Sequence, residues 1–284
     1  MSTYTRGDGH LALEELRRLA LLVEYHGAGY HGFQAQRNAQ SVQETLEGAI
    51  HSLTGERLRI KGAGRTDAGV HAQGQVVAFD TWAPYTPAVF VQALNHYLPE
   101  DISIKDACEV SLDFDPRRWA TSREYRYIIL NSATPSPLLQ GFVHHVRKPL
   151  DTTAMQDAAR LLEGERDFAP FSGPLSNGRV STRRRMFRCS VGRREDMVFL
   201  DMVANGFLPQ QVRRTAGALV EVGVGRLGLH EFGELAECGK LGAADRVLPA
   251  KGLSLMKISY PMLLFSSEGA VDGWEHAFLE ARAV

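Results

Sequence analysis

Apolar positions along the chain switch between two spacings, and the switches mark out the elements. Residues 19–25 form a compact apolar run of the kind a buried strand makes, ended by the turn His26-Gly27-Ala28-Gly29. Ser41 with Glu44 three residues on has capping-box spacing. Val42, Leu46, Ile50 and Leu53 then follow at helical intervals until Thr54-Gly55 stops them. Short strands are predicted over 58–60 and 74–80, a helix over Pro87–Tyr97 and a strand over Ile102–Val110. Ahead of all this, a polar lead-in runs into a short helical piece at 11–19.

The order strand, helix, strand, strand, helix, strand is ferredoxin-like, an antiparallel sheet with helices on one face. The second half repeats it less clearly: a strand at 124–130, then a helix at 151–162 with Met155, Ala158, Ala159 and Leu162 inward. Strands at 188–191 and Met197–Ala204, a helix at 211–222 and a strand at 253–260 complete it. With no low-complexity segment and no Pro/Gly/Ser linker, the expected class is α+β. Two ferredoxin-like (RRM-like) halves share one mostly antiparallel, mixed sheet with helices packed on it. The halves are drawn at 19–115 and 116–284, after an N-terminal extension at 1–18.

Composition narrows the classes. An apolar fraction of 44% and a charged fraction of 23% are those of an ordinary globular protein. No run approaches the roughly 18 apolar residues of a membrane span, and residues 1–9 lack the pattern of a secretory signal, so the expectation is cytoplasmic with no membrane partner. Cys108, Cys189 and Cys238 are too widely spaced for a zinc site or a disulfide framework. His26, His31 and His71 lack a close i, i+4 pair and a cysteine partner, so no metal is expected. A net charge of −1 does not announce a nucleic-acid binder, and any RNA surface must be local. Arginines nevertheless cluster at 117–118, 183–185 with 188, 193–194 and 213–214. The guanidinium fork holds phosphate bidentately and stacks on bases.

Chemistry concentrates in the run 62–71, Gly-Ala-Gly-Arg-Thr-Asp-Ala-Gly-Val-His, between two predicted strands. It is not a P-loop, because Val70-His71 stands where Lys-Ser/Thr is needed. It is not a dinucleotide loop either, because Asp67 replaces the third glycine. What remains is a carboxylate on a glycine-rich loop, with Arg65 two residues earlier. Such an Asp commonly just caps a turn, and these residues alone leave both readings open.

Residues 64–71 resemble the signature loop of the TruA family of tRNA pseudouridine synthases. The resemblance extends to Tyr25-His26-Gly27, Tyr30 to Gln34 with Gln36, Ser41-Val42-Gln43-Glu44, Asn95, and Leu98 to Ile102. It continues through Arg123-Glu124-Tyr125-Arg126-Tyr127, Phe207-Leu208 with Val212-Arg213 and Gly217, and Pro249 to Leu253. It implies an isomerase that turns uridine into pseudouridine in the anticodon arm, at nucleotides 38–40, with no cofactor.

By that resemblance Asp67 is the catalytic carboxylate and Arg213 its counter-charge. Tyr125 lies against the target base, and Arg65 holds the flipped nucleotide or fills the gap it leaves. Thr66, His71 and Phe207 complete the substrate-binding set. The implied partners are tRNA and a second copy of the chain in a homodimer. Pro209-Gln210-Gln211 departs from the family pattern ahead of Val212-Arg213, as does Arg118-Trp119. The alternatives are an RNA-binding or RNA-folding module without chemistry, and a hydrolase that needs a second catalytic group beside Asp67.

Overall fold

The structure is a computed structural model and describes residues 15–175 and 180–265. Its first half runs β1 (Arg17–Tyr25), α1 (Val42–Thr54), β2 (Lys61–Gly62), β3 (His71–Thr81), α2 (Pro87–Tyr97) and β4 (Ile102–Val110). The second runs β5 (Ser122–Leu130), β6 (His144–His145), α3 (Thr152–Arg160), β7 (Gly164–Asp167), β8 (Arg183–Arg194), β9 (Met197–Ala204), α4 (Gln211–Gly223), α5 (Leu229–Glu237) and β10 (Leu253–Ser259).

All ten strands belong to one sheet, ordered β4-β1-β3-β10-β5-β9-β8-β7, with β2 added to β3 and β6 to β5. The fold is α+β with a mixed, mostly antiparallel sheet, as the alternating pattern predicts. Each half places its strands in the same order: β4-β1-β3-β2 in one, β10-β5-β9-β8 in the other. They join where β10 runs parallel to β3 through Ser254 with His71 and Leu255 with Ala72.

Local chemistry explains the boundaries. The Ser41 hydroxyl accepts from the Glu44 amide at 3.2 Å, and Gly55 at φ +76° ends α1 in the left-handed conformation. Thr86 caps α2 with Pro87 behind it, and the Asp151 carboxylate accepts from the Thr153 and Ala154 amides at the start of α3. Along β5 and β9 the two-residue period divides the side chains between the sheet faces. Tyr125, Tyr127 and Ile129, with Leu200 and Met202, join the main core, while Ile128, Leu130 and Met197 pack under Leu139 and Val143 on the other face. Burial of these apolar faces is the main favourable term holding the layers.

Three expectations move. Residues 58–60 are not a strand: Gln43 and Glu47 of α1 take the Ile60 carbonyl and amide at 3.3 and 3.1 Å, so pairing begins only at Lys61. Arg17 to Leu19 belong to β1 rather than to a helix, Glu15 and Leu16 ahead of them are not helical, and the rest of the predicted piece, 11–14, lies outside the described residues. β8 is longer than 188–191, because its arginine-rich outer stretch carries no apolar period and is held in the sheet by pairing with β9 and β7. α5 and β7 were not foreseen. Among the described residues no helix is long and apolar enough to cross a membrane.

Candidate active site

The connection between β2 and β3, residues 63–70, is fixed at nearly every step. Ala63 donates to the Val76 carbonyl at 2.8 Å, and the Val70 amide closes a turn onto the Asp67 carbonyl at 3.1 Å. Gln75, fully buried on β3, accepts from the Gly64 amide at 3.2 Å and donates to the Gly64 carbonyl at 2.8 Å. Thr66, 6% exposed, shares a 2.8 Å hydrogen bond with the Tyr25 hydroxyl. Burial pushes that phenol up to about 12 despite its hydrogen bonds to Thr66 and Gln75.

The segment after β1 presses on the same loop. A Cβ at Gly27 would overlap the Val70 carbonyl. Gly32, at φ +98°, would put one 2.8 Å from the Thr66 carbonyl.

Asp67 projects from this scaffold into a cleft of about 740 Å³. Its carboxylate meets Arg213 Nη1 at 3.2 Å, and the same guanidinium is anchored by Nε on the Leu248 carbonyl at 2.7 Å. Arg213 reaches the cleft from the first turn of α4. Pro209 and Gln210 form the turn before that helix, and the Gln211 side chain accepts from the Leu208 amide at 2.8 Å. The helix starts after Gln210 at φ +58°, with no side-chain cap, and still carries Arg213 on its first turn despite the unusual residues there.

Tyr125 and Phe207 meet edge to face at 5.1 Å on the cleft wall. Burial, with smaller contributions from Tyr25 and Asp67, raises the Tyr125 phenol well above its ordinary range, so it keeps its proton at neutral pH.

The cleft brings together Arg65, Thr66, Asp67, Tyr125, Phe207 and Arg213 of the expected set. It does not include His71. That ring is 4% exposed and accepts from the Gly27 amide at Nδ1, 3.1 Å away. Nε2 therefore carries the proton, shared between the carbonyls of Gly141 and Lys251 at 3.1 and 3.2 Å. Burial, helped by stacked His26, lowers it to about 4. The expectation that His71 touches RNA gives way to a role tying the β3–β10 seam. Among the described residues no group of three or more His, Cys, Asp or Glu is placed to hold a metal.

Sequence reasoning missed Gln75, although a lone amide inside the apolar strand 74–80 was the available sign. It also missed Arg123, Arg184 and Asn205 as cleft residues. Arg123 lies inside the motif Arg123-Glu124-Tyr125-Arg126-Tyr127, and Arg184 inside the arginine cluster at 183–185. Among the described residues the cleft carries Arg65, Arg117, Arg118, Arg123, Arg184 and Arg213 against the single carboxylate of Asp67.

A family model for tRNA pseudouridine synthase matches residues 21–117 and 158–261. The tRNA pseudouridine synthase A of Acetivibrio thermocellus is 42% identical over 245 residues, covering 86% of this chain and 100% of the relative. Its counterpart in a Roseiflexus species is 44% identical over 249 residues, covering 87% and 92%, and that of Geobacter sulfurreducens 40% identical over 245, covering 86% and 100%. Among solved structures, a Cbf5-Nop10-Gar1 complex matches 71% of this chain and 54% of that one at 12% identity and a TM-score of 0.32, too distant to bear on the site.

Proposed function

The chain belongs to the tRNA pseudouridine synthase family and isomerises uridine in tRNA, and we propose that Asp67 is the carboxylate that does it, on nucleotides 38–40 of the anticodon arm. The observation that carries this reading is that, among the described residues, the only carboxylate lining an arginine-rich cleft is held 3.2 Å from Arg213.

The reaction conserves atoms. The bond from C1′ to N1 breaks, uracil turns, C1′ bonds to C5, the C5 proton leaves and N1 is protonated. Positive character builds on the sugar as the first bond breaks, and an ionised carboxylate beside C1′ stabilises or captures it. Arg213 aims the Asp67 carboxylate through its 3.2 Å contact, its own position fixed by the Leu248 carbonyl. Tyr125 and Phe207 form an apolar wall against which an extruded base packs, and Tyr125, protonated, serves as surface rather than base. Arg65, exposed at the loop edge, holds the flipped nucleotide or fills the gap behind it. Thr66 acts through the loop, by its bond to Tyr25.

The near-neutral net charge of −1, which makes tight RNA contact by a single subunit hard, supports a homodimer that the RNA spans. A solution mass of about 31.4 kDa at micromolar concentration would count against that.

The deciding assay is tritium release from tRNA carrying 5-³H-uridine. C5 gives up its hydrogen only when the new bond forms there. Wild-type release that Asp67→Ala abolishes is the expected result. No release from either would leave a binding module.

A further inference from the structure

Beyond the Asp67–Arg213 pair, a second group of guanidiniums meets on the cleft wall built by β5, β8 and β9. Arg123 of β5 donates to the carbonyls of Arg117 at 2.7 Å, Asn205 at 2.8 Å, and Ala63 and Ala120 at 3.3 Å each. Arg184 of β8 lies along the turn that ends β9. Its Nε sits 3.7 Å from where a Cβ on Gly206 would be, and its Nη1 donates to the Ser181 and Arg183 carbonyls. That turn is pinned to β8 by two bonds between Asn205 and Arg185, at 3.0 and 3.1 Å.

Among the described residues no carboxylate pairs with Arg117, Arg123 or Arg184, although most other arginines of the sheet have one. Burial lowers the pKa of Arg123 and of Arg184, and the charge of Arg117 lowers both further. Arg123 and Arg184, both partly buried, have only carbonyls as partners, and exposed Arg117 adds a third cation beside them. An anion bound there would relieve the repulsion.

We propose that Arg117 and Arg184, set in place by Arg123, form a phosphodiester site that grips the RNA backbone beside the flipped nucleotide. The proposal rests on the reading of this cleft as an RNA site. Arg213 is occupied by Asp67, so the wall supplies the charge that the catalytic pair cannot. Contacts of this kind hold register without reading sequence.

The test uses a synthetic stem-loop RNA with its target uridine, measuring binding by anisotropy across a salt series and tritium release in parallel. Arg184→Gln and Arg117→Gln should each weaken binding roughly tenfold at low salt and flatten the salt dependence by about one phosphate contact. KM should rise more than kcat falls. Arg184→Lys should keep the salt slope, which a merely structural loss would not allow. A methylphosphonate at one linkage should weaken wild type but not Arg184→Gln.

Unchanged slopes in both glutamine variants, with wild type still releasing tritium, would overturn the site and leave the function standing. If wild type releases no tritium, the function fails, and the salt slopes still decide whether the wall holds phosphate.

Discussion

The two halves of the molecule share a strand order but differ at one connection. In the second half β8 turns into β9 through Glu195 and Asp196 alone, with Glu195 at φ +52°, and the strands then pair over eight positions. In the first half the equivalent hairpin pairs at only two positions, and residues 63–70 occupy the space. Giving up the hairpin does two things. It frees a loop to carry Asp67, and it leaves the start of β3 open on one edge, where β10 docks. Catalytic site and seam between halves are products of the same lost pairing. A shared fold thus acquires chemistry where its regularity is relaxed.

That contrast breaks most sharply at Asp67. Asp67→Ala should lower tritium release by a factor on the order of 10⁴ or more, with the melting temperature little changed. Next comes Arg213→Gln, which takes from the loop the cation supplied by the other half. A loss of roughly 10²–10³ in kcat is expected, with single-turnover assays separating it from weaker RNA binding.

The seam should show a pH signature. Above about pH 6.5 His71 is neutral in folded and unfolded chains alike and adds no pH dependence. Between about 6.5 and its folded value of about 4, only the unfolded state takes up the proton, so stability falls as pH falls. The loss reaches about 3 kcal/mol at most. His144, also lowered to about 4, mainly by burial, acts in the same window. Urea midpoints at pH 7.5 and 5 should converge in His71→Gln relative to wild type.

Gln75→Leu should cost about 1–2 kcal/mol, because the Gly64 amide and carbonyl lose their partner, and kcat should drop with stability. At the other end of the scale stands the tight turn. Asp196→Ala should leave tritium release within twofold and stability within about 0.5 kcal/mol. A large loss there would mean the second connection is not the plain counterpart that the comparison makes it.

Much of this fold was legible because caps and periods coincide. Ser41 with Gly55 bounded α1, and Thr86-Pro87 opened α2 where the apolar period begins. What failed was structure decided at a distance. The backbone at Ile60 looks strand-like locally, but side chains from α1 take its hydrogen bonds. β7, reading Gly-Glu-Arg-Asp, has no apolar period and exists only by pairing with β8. α5 did carry a readable spacing in Leu229, Phe232, Leu235 and Ala236. In the site, the Asp67 loop announced itself by its glycines, whereas Arg123 joins the cleft through carbonyls of Ala63 and Asn205, from distant segments that no local pattern encodes.

Asp67 and Arg65 come from one side of the seam, and Arg117, Arg123, Arg184 and Arg213 from residues made later. A ribosome delivers the chain in that order, and domains tend to form as they emerge. The half that appears first therefore holds the acid and Arg65, but neither Arg213 nor the arginine wall. Grip and the acid's partner arrive together when α4 and β10 close the sheet, so an unfinished chain has little means of capturing a tRNA that it could not yet modify.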